Sequence, residues 1–302
     1  MNKKTNKIQF TIEVGKSSHI GMNRTNNEDA YALIDRRDED KDLPILAIVA
    51  DGMGGHKAGE VASKTAVEII TKSFFEIRKK EKIEALIENV LKKANNEILG
   101  MARSDQEKSN MGTTVVTAII EKDNLYVANI GDSRAYCFLN DKLIQITVDH
   151  TYATALGLST QQAQESPVGS KLTRCLGREE NLKVDLYGRK LHKGEKILLC
   201  SDGLTRHITD NDIKVHLAKT ITPQEIINEL IELANKRGGR DNITVIIISV
   251  IDILGQEIKK EKGEQISLLW WISGILIFLI VLFGLIYLFM QLEIADILFG
   301  PP

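Results

Sequence analysis

Hydrophobic and polar positions alternate in short registers over the first four fifths of the chain, then give way to one long apolar run. Ile8, Phe10, Ile12 and Val14 recur on every second position, the period of a half-buried strand. Pro44 to Ala50 is a short continuous apolar stretch and predicts a buried strand. Over 59–79, Val61, Thr65, Ala66, Ile69, Ile70 and Phe74 share one helical face. Over 81–99, Ile83, Leu86, Ile87, Val90, Leu91, Ala94 and Ile98 do the same. Strands are predicted at 113–120, 124–130, 133–139 and 142–147, the last two joined as a hairpin by Asn140-Asp141. Residues 150–180 are polar and weakly periodic, with Gly157, Pro167 and Gly169, and read as a mobile surface segment. Further strands follow near 182–187 and 196–201. Thr222-Pro223-Gln224-Glu225 is a capping box with proline at the first helical position, opening a helix to about Lys236 that Gly238-Gly239 stops. The last strand is 242–251. Short-linked strands outnumber helices and two helices stand together, which excludes a regular βαβ alternation. The pattern predicts an α+β fold of antiparallel sheets covered by helix pairs.

The far end has a different character. Leu268 to Met290 is uncharged over 23 residues, about 34 Å as a helix, against a hydrocarbon core of roughly 30 Å. Trp270, Trp271 and Tyr287 stand near its borders as interfacial anchors do. Lys259, Lys260 and Lys262 precede the span, and no Lys or Arg follows it, so the positive-inside rule puts the N-terminal part in the cytoplasm. The expected organisation is a domain at 1–252, a charged juxtamembrane linker at 253–267, a single transmembrane helix at 268–290 and a short tail at 291–302. The localisation expected from it is the cell membrane, single-pass.

Composition narrows the functional classes. Lys+Arg 39 against Asp+Glu 41 gives a formal charge of −2, without the basic surplus of a nucleic-acid partner. No apolar h-region follows the polar start Met1-Asn-Lys-Lys-Thr-Asn-Lys, so no secretory signal peptide is predicted. Cys137, Cys175 and Cys200 lack CxxC spacing and read as buried thiols in a reducing compartment.

Candidate chemistry lies at the ends of the apolar runs. Leu46-Ala-Ile-Val-Ala runs into Asp51-Gly52, Leu125 to Ile130 into Gly131-Asp132, and Ile197 to Ser201 into Asp202-Gly203. Asp241-Asn242 opens the run Ile243-Thr-Val-Ile-Ile-Ile. A carboxylate there lowers strand propensity and risks unpaired burial. Four such placements suggest acids converging on a hard cation, with glycines letting backbone approach it. Glu28-Asp29 adds two adjacent acids. An all-oxygen donor set suits Mg²⁺ or Mn²⁺ and makes zinc a poor fit. Two such ions roughly 3.5–4 Å apart can share a water, lower its pKa and clamp an in-line phosphoryl displacement. Arg24, four residues before Glu28, has the fork to grip a phosphate bidentately.

The order of motifs is Gly21-Met-Asn-Arg24-Thr-Asn-Asn-Glu28-Asp29, Asp51-Gly-Met-Gly-Gly-His56, Gly112-Thr113-Thr114 and Gly131-Asp132-Ser133-Arg134. Asp149-His150, Leu172-Thr-Arg174-Cys-Leu-Gly177, Ser201-Asp202-Gly203-Leu204 and Gly239-Arg-Asp241-Asn242-Ile-Thr244 follow. Together, over residues 8–251, they closely resemble the metal-dependent protein phosphatases, the type 2C or PPM serine/threonine phosphatases, in their bacterial form. The resemblance implies a four-layer αββα sandwich of two antiparallel sheets with two Mg²⁺ or Mn²⁺ ions at one edge. It implies that Asp51 bridges both ions, that the Gly52 carbonyl joins the second, and that Asp202 and Asp241 hold the first. Glu28 would reach the second through water, and Asp29 would support the waters of the cluster. Asp132 with Asp202 would carry a third, weaker ion, and Arg24 would hold the substrate phosphate. The implied reaction is hydrolysis of phosphoserine or phosphothreonine in proteins by a metal-bridging hydroxide, with no phospho-enzyme. A bacterial Ser/Thr kinase would be the opposing partner.

Two positions depart from the family pattern. Met53 stands where eukaryotic members carry a histidine thought to protonate the leaving alkoxide, and Ser166-Pro-Val-Gly-Ser replaces a His-Pro segment beside the active site. Two rivals remain at this point, a catalytically silent phosphoprotein-binding module and a phosphodiesterase. Arg134, Arg174 and Asp149-His150 read as structural, pairing with acids or fixing a turn.

Overall fold

The computed structural model describes residues 9–54, 58–77, 82–108, 110–158, 162, 166 and 168–254. They belong to one compact unit. His56, the expected linker from residue 255 on and the expected membrane span at 268–290 lie outside the described residues. Among the described residues no helix is long and apolar enough to cross a membrane.

Eleven strands are described: β1 Gln9–His19, β2 Asp29–Ile34, β3 Ile45–Met53, β4 Gly112–Thr113, β5 Val115–Glu121, β6 Asn124–Ile130, β7 Arg134–Leu139, β8 Lys142–Gln145, β9 Asp185–Lys190, β10 Lys196–Cys200 and β11 Ile243–Leu254. The helices are α1 Ala58–Ile77, α2 Ile83–Ser104, the single turns α3 Tyr152–Ala155 and α4 Asp202–Thr205, then α5 Asp210–Leu217 and α6 Pro223–Lys236. One sheet runs β1-β11-β10-β7-β8. The other runs β2-β3-β5-β6-β9, with β4 paired to β3. Every named strand pair is antiparallel.

The predicted continuous apolar strands are explained by cores on both of their faces. In β3, Leu46, Ile48 and Ala50 join Phe74, Leu86 and Ile98 of α1 and α2. The alternate residues Ile45, Ala47 and Val49 meet Ile197, Ile246 and Ile248 of the opposite sheet. In β11 the residues between those, Ile243, Val245 and Ile247, turn outward onto Ile213, Ile226 and Leu230 of α5 and α6. Successive strand residues point to opposite faces, so a central strand with two covered faces has no polar positions to show. Helix pair, sheet, sheet and helix group stack in that order, the expected αββα arrangement.

The capping box at Thr222 is present. Glu225 donates its backbone N–H to Thr222 Oγ1 (3.3 Å), and its carboxylate accepts the Thr222 N–H (2.9 Å). Several boundaries differ from the pattern. β1 continues to His19, β9 begins at Asp185 rather than near 182, and β11 runs on to Leu254. Helix α5 was not foreseen. It turns only Ile213 and Leu217 inward, too few apolar positions to show a period, and a second capping box of Thr209 with Asp212 starts it.

The three cores give a stability prediction. Ile246→Ala, at a fully buried position between the sheets, lowers the unfolding free energy in urea by about 2–5 kcal/mol. Ile144→Ala, at a position 57% exposed on β8, changes it by about 0.5 kcal/mol or less.

Candidate active site

The acids predicted from the sequence meet where β3, the β6–β7 loop, α4 and the turn before β11 come together. Backbone bonds fix each carrier before its side chain is considered. Asp51 donates its N–H to Thr114 Oγ1 (3.1 Å), and its carbonyl accepts the Thr114 N–H (2.9 Å) and the Thr113 hydroxyl (2.9 Å). Asp29 stands opposite Asp51 in the β2–β3 register. Gly52 donates its N–H to the Glu28 carbonyl (3.1 Å). A Cβ at Gly52 would lie 2.1 Å from the Gly59 carbonyl oxygen and 2.5 Å from that of Glu28, so only glycine lets β3 pass between them. Gly131, before Asp132, has a φ of +109°, which bends the loop at a conformation few side chains tolerate.

Asn242 ties three segments together. Its Oδ1 accepts the Glu28 N–H (2.8 Å), and its Nδ2 donates to the carbonyls of Ile20 (2.8 Å) and Asn26 (2.9 Å). The loop carrying Arg24 and Glu28 is thereby fastened to the residue next to Asp241. Arg24 in turn ion-pairs with Asp241 at 2.9 Å.

Arg24, Glu28, Asp51, Gly52, Asp132, Asp202 and Asp241 all line one cavity of about 670 Å³. Asp29 does not line it. Its carboxylate is held by Ser201 Oγ (2.8 Å) and Thr244 Oγ1 (2.7 Å), both donating to Oδ2, while Oδ1 is buried without a partner. Met53 also lines the cavity, as do Tyr152, Lys171, Arg178 and Arg206. Sequence reasoning missed Arg206. It lies four residues after Asp202, one helical turn away, and that spacing was the available signal. It missed Ser201 and Thr244 as supports of Asp29 as well, because a hydroxyl just past the end of β10 or at the start of β11 carries no distinctive pattern.

Crowding shifts the acids strongly. Burial raises Asp29 to about 7, against the pull of its two hydroxyl donors. Burial raises Asp132 to about 8, with Asp202 and Asp149 adding to the rise and Arg206 opposing it. Burial also lifts Asp51 well above the usual carboxylate range, reinforced by Asp29, Asp202, Asp132 and Asp241. Asp202 is raised by burial too. Its neighbour Arg206 counters this, and so does a hydrogen bond with Asp51. Asp202 Oδ1 is buried and without a hydrogen-bond partner. Among the described residues no three His, Cys, Asp or Glu side chains stand as a finished metal-ligand group. The outward oxygens of Asp202 and Asp241 are instead turned to Arg206 and Arg24.

Arg134, Arg174 and His150 brace the site, in keeping with their structural reading. Arg134 holds Asp149 through contacts of 2.7–3.0 Å, and Arg174 holds Asp185 at 2.6 Å. His150 Nδ1 accepts the Gly131 N–H (3.0 Å), and its own N–H donates to the Gly131 carbonyl (2.9 Å). The base of the 150–174 segment is thus pinned to the loop of Asp132.

Comparison with known proteins points the same way. Residues 16–242 match the model of the family described as protein phosphatase 2C. The chain is 36% identical over 235 residues to the serine/threonine phosphatase stp of Listeria innocua, covering 76% of this chain and 92% of that one. Among solved structures it is similar to the serine/threonine phosphatase of S. agalactiae, with TM-score 0.74 and 31% identity, covering 80% of this chain and 100% of that one. It is similar also to the catalytic domain of the phosphatase PstP in complex with two manganese ions, with TM-score 0.68 and 31% identity, covering 80% of this chain and 100% of that one.

The shifted acids predict how stability varies with pH. In a chelator, the folded state keeps protons on Asp29 and Asp132 up to about 7 and 8, whereas the unfolded chain releases them near the ordinary value of 3.8. The folded state then binds more protons than the unfolded one, so stability falls as pH rises through this range. His150, lowered by burial, acts in the opposite direction below its ordinary 6.5. Between pH 6.5 and 8 the carboxylates prevail, and the melting temperature in chelator decreases across that interval. A melting temperature that is flat or rising there would contradict the clustering.

Proposed function

The chain belongs to the protein phosphatase 2C family and is a serine/threonine protein phosphatase, and on that premise we propose that it removes phosphate from phosphoproteins with two divalent ions at the carboxylate cluster, on the cytoplasmic face of a membrane. Phosphoproteins are the substrate class its activity implies. The family is metal-dependent, and one related structure holds two manganese ions.

The donor set of this chain fits such ions. It is all oxygen. Several of its carboxylates are held above their normal pKa by burial and then by one another, and Asp202 Oδ1 is buried without a hydrogen-bond partner. Hard cations relieve both conditions. In this reading Asp51, the Gly52 carbonyl, Glu28, Asp202 and Asp241 would hold the two ions. Asp132 with Asp202 would hold a third, weaker one. Bound Mg²⁺ or Mn²⁺ supplies Lewis acidity toward the phosphate and a water of lowered pKa.

The remaining steps belong to the chain itself. Arg24 reaches the cavity from a half-exposed position and presents its fork to the phosphate, which replaces Asp241 as its partner. Asp29, held by the Ser201 and Thr244 hydroxyls, supports the floor of the site beside Asp51. Met53 in the cavity wall has no proton to give, so the departing alkoxide takes one from water. The observation that carries the reading is the convergence of Asp51, Asp132, Asp202 and Asp241 on one cavity with Arg24 at its rim.

We place the protein at the membrane through residues 268–290, with 253–267 as linker and a bacterial Ser/Thr kinase as its counterpart in signalling. The lysines before the span and the anchoring aromatics at its borders support that arrangement.

Two experiments follow. The full-length chain hydrolyses a phosphothreonine peptide with Mn²⁺ and loses activity in EDTA. Asp202→Ala lowers kcat at least about 100-fold, and Arg24→Ala lowers kcat/KM about 10–100-fold. Activity that survives both chelation and Asp202→Ala would reject the proposed chemistry. Deleting 268–290 moves the protein from the membrane pellet to the soluble fraction with its peptide activity intact; a deleted form still found in the pellet would reject the anchor.

A further inference from the structure

Among the described residues, Arg206 is the one cation that touches two of the proposed ligands of the first ion. Its Nη2 lies 2.5 Å from Asp202 Oδ2, and its Nη1 lies 3.4 Å from Asp241 Oδ2. We propose that Arg206 is a built-in counter-cation of the Asp202–Asp241 pair which a divalent ion has to displace, so that metal affinity is set by competition with the chain's own guanidinium. The inference rests on the metal reading of this site.

The contact is built into the local fold. Asp202 opens the single turn α4, and Arg206 is the residue that caps it, its N–H donating to the Asp202 carbonyl (2.9 Å). The side chains at these two positions share one face of the turn. The competitor is therefore tethered to the ligand it covers, at an effective concentration no diffusing ion escapes. A guanidinium remains charged at any working pH and sheds water more readily than an ammonium, which suits it to a carboxylate-rich pocket.

The same geometry lets Arg206 leave. Its side chain is 47% exposed. It also lines a second cavity of about 410 Å³ beside the first, together with Thr205, Asp132 and Asp149. Asp149 there is already engaged by Arg134, so the displaced guanidinium moves into solvent-facing space without breaking another ion pair. Nor does Arg206 satisfy the whole cluster: Asp202 Oδ1 stays unpartnered. A divalent ion offers what one guanidinium cannot, a second charge and several coordination directions, and wins the exchange at reduced net affinity. Between loadings, Arg206 keeps crowded acids from repelling one another.

The test uses the full-length chain stripped of metal and titrated calorimetrically with Mn²⁺. Arg206→Gln removes the charge and Arg206→Lys retains it. With Gln, Mn²⁺ binds about tenfold more tightly, within the usual span of coupling between two sites, and the metal-free protein melts at a lower temperature. With Lys, both quantities stay near those of the unsubstituted protein. Mn²⁺ affinity that is unchanged or weaker in the Gln variant overturns the inference, including the case in which only the KM for phosphopeptide rises, which would make Arg206 a phosphate ligand. A second measurement needs no folded variant. The Arg206 guanidinium resonances shift toward their solvent-averaged positions when Mg²⁺ saturates the site, and resonances that do not move overturn the inference too. If the unsubstituted protein binds no Mn²⁺ at all, the metal reading itself fails, which is distinct from equal binding by the two proteins.

Discussion

Mutual repulsion among carboxylates at one edge of the sandwich is the constraint around which the molecule is organised. Asp29, Asp51, Asp132 and Asp202 are each lifted above the ordinary range of an aspartate, mainly by burial and then by one another. No cluster of this kind would assemble unaided. It is held because every carrier is immobilised by something else: Asp51 by its pairing with Thr114, the Glu28 loop by Asn242, Asp132 by Gly131 and His150, and Asp202 by the helical turn it begins. Burial of apolar surface in three layers, at roughly 25 cal/mol per Å², offsets the electrostatic cost of holding these groups together. Function and strain thus share one location, while the stabilising interactions are spread over the rest of the domain.

The layered architecture also explains how the acids reach that edge. Strands β3, β10 and β11 are largely apolar on both faces, and an acid stands near the end of β3, just after β10 and just before β11. Sandwich strands end together, so residues distant in sequence become neighbours in space. Asp51 and Asp241 stand almost two hundred positions apart and line one cavity. Glycine at Gly52 lets the strand pass within contact distance of two carbonyls, an approach any side chain would block.

Much of this was legible in the chain because the signals were periodic or chemical. Continuous apolar runs predicted the central strands, and their antiparallel pairing with two covered faces accounts for the missing alternation. Acids at the ends of those runs predicted the site, and seven of the eight residues singled out line one cavity. Asp29 is the exception, a support beneath the others. What stayed hidden lacked either signal. Helix α5 turns only two apolar residues inward. Ser201, Thr244 and Asn242 act through hydrogen bonds that depend on where strands from opposite ends of the sequence meet. Arg206 reads locally as one more surface charge, and its importance comes from facing two acids at once.

The position of β11 has a consequence for biosynthesis. This strand lies between β1 and β10, so the first strand of the chain has no neighbour in its sheet until nearly the last described residue has been made. On the ribosome, β1 waits unpaired while more than two hundred residues follow, and Asp241 arrives only with the closing strand. A product truncated before β11 therefore exposes an open sheet edge and lacks one acid of the cavity. The sheet and the acid cluster are therefore completed together, by the same late strand and the turn before it.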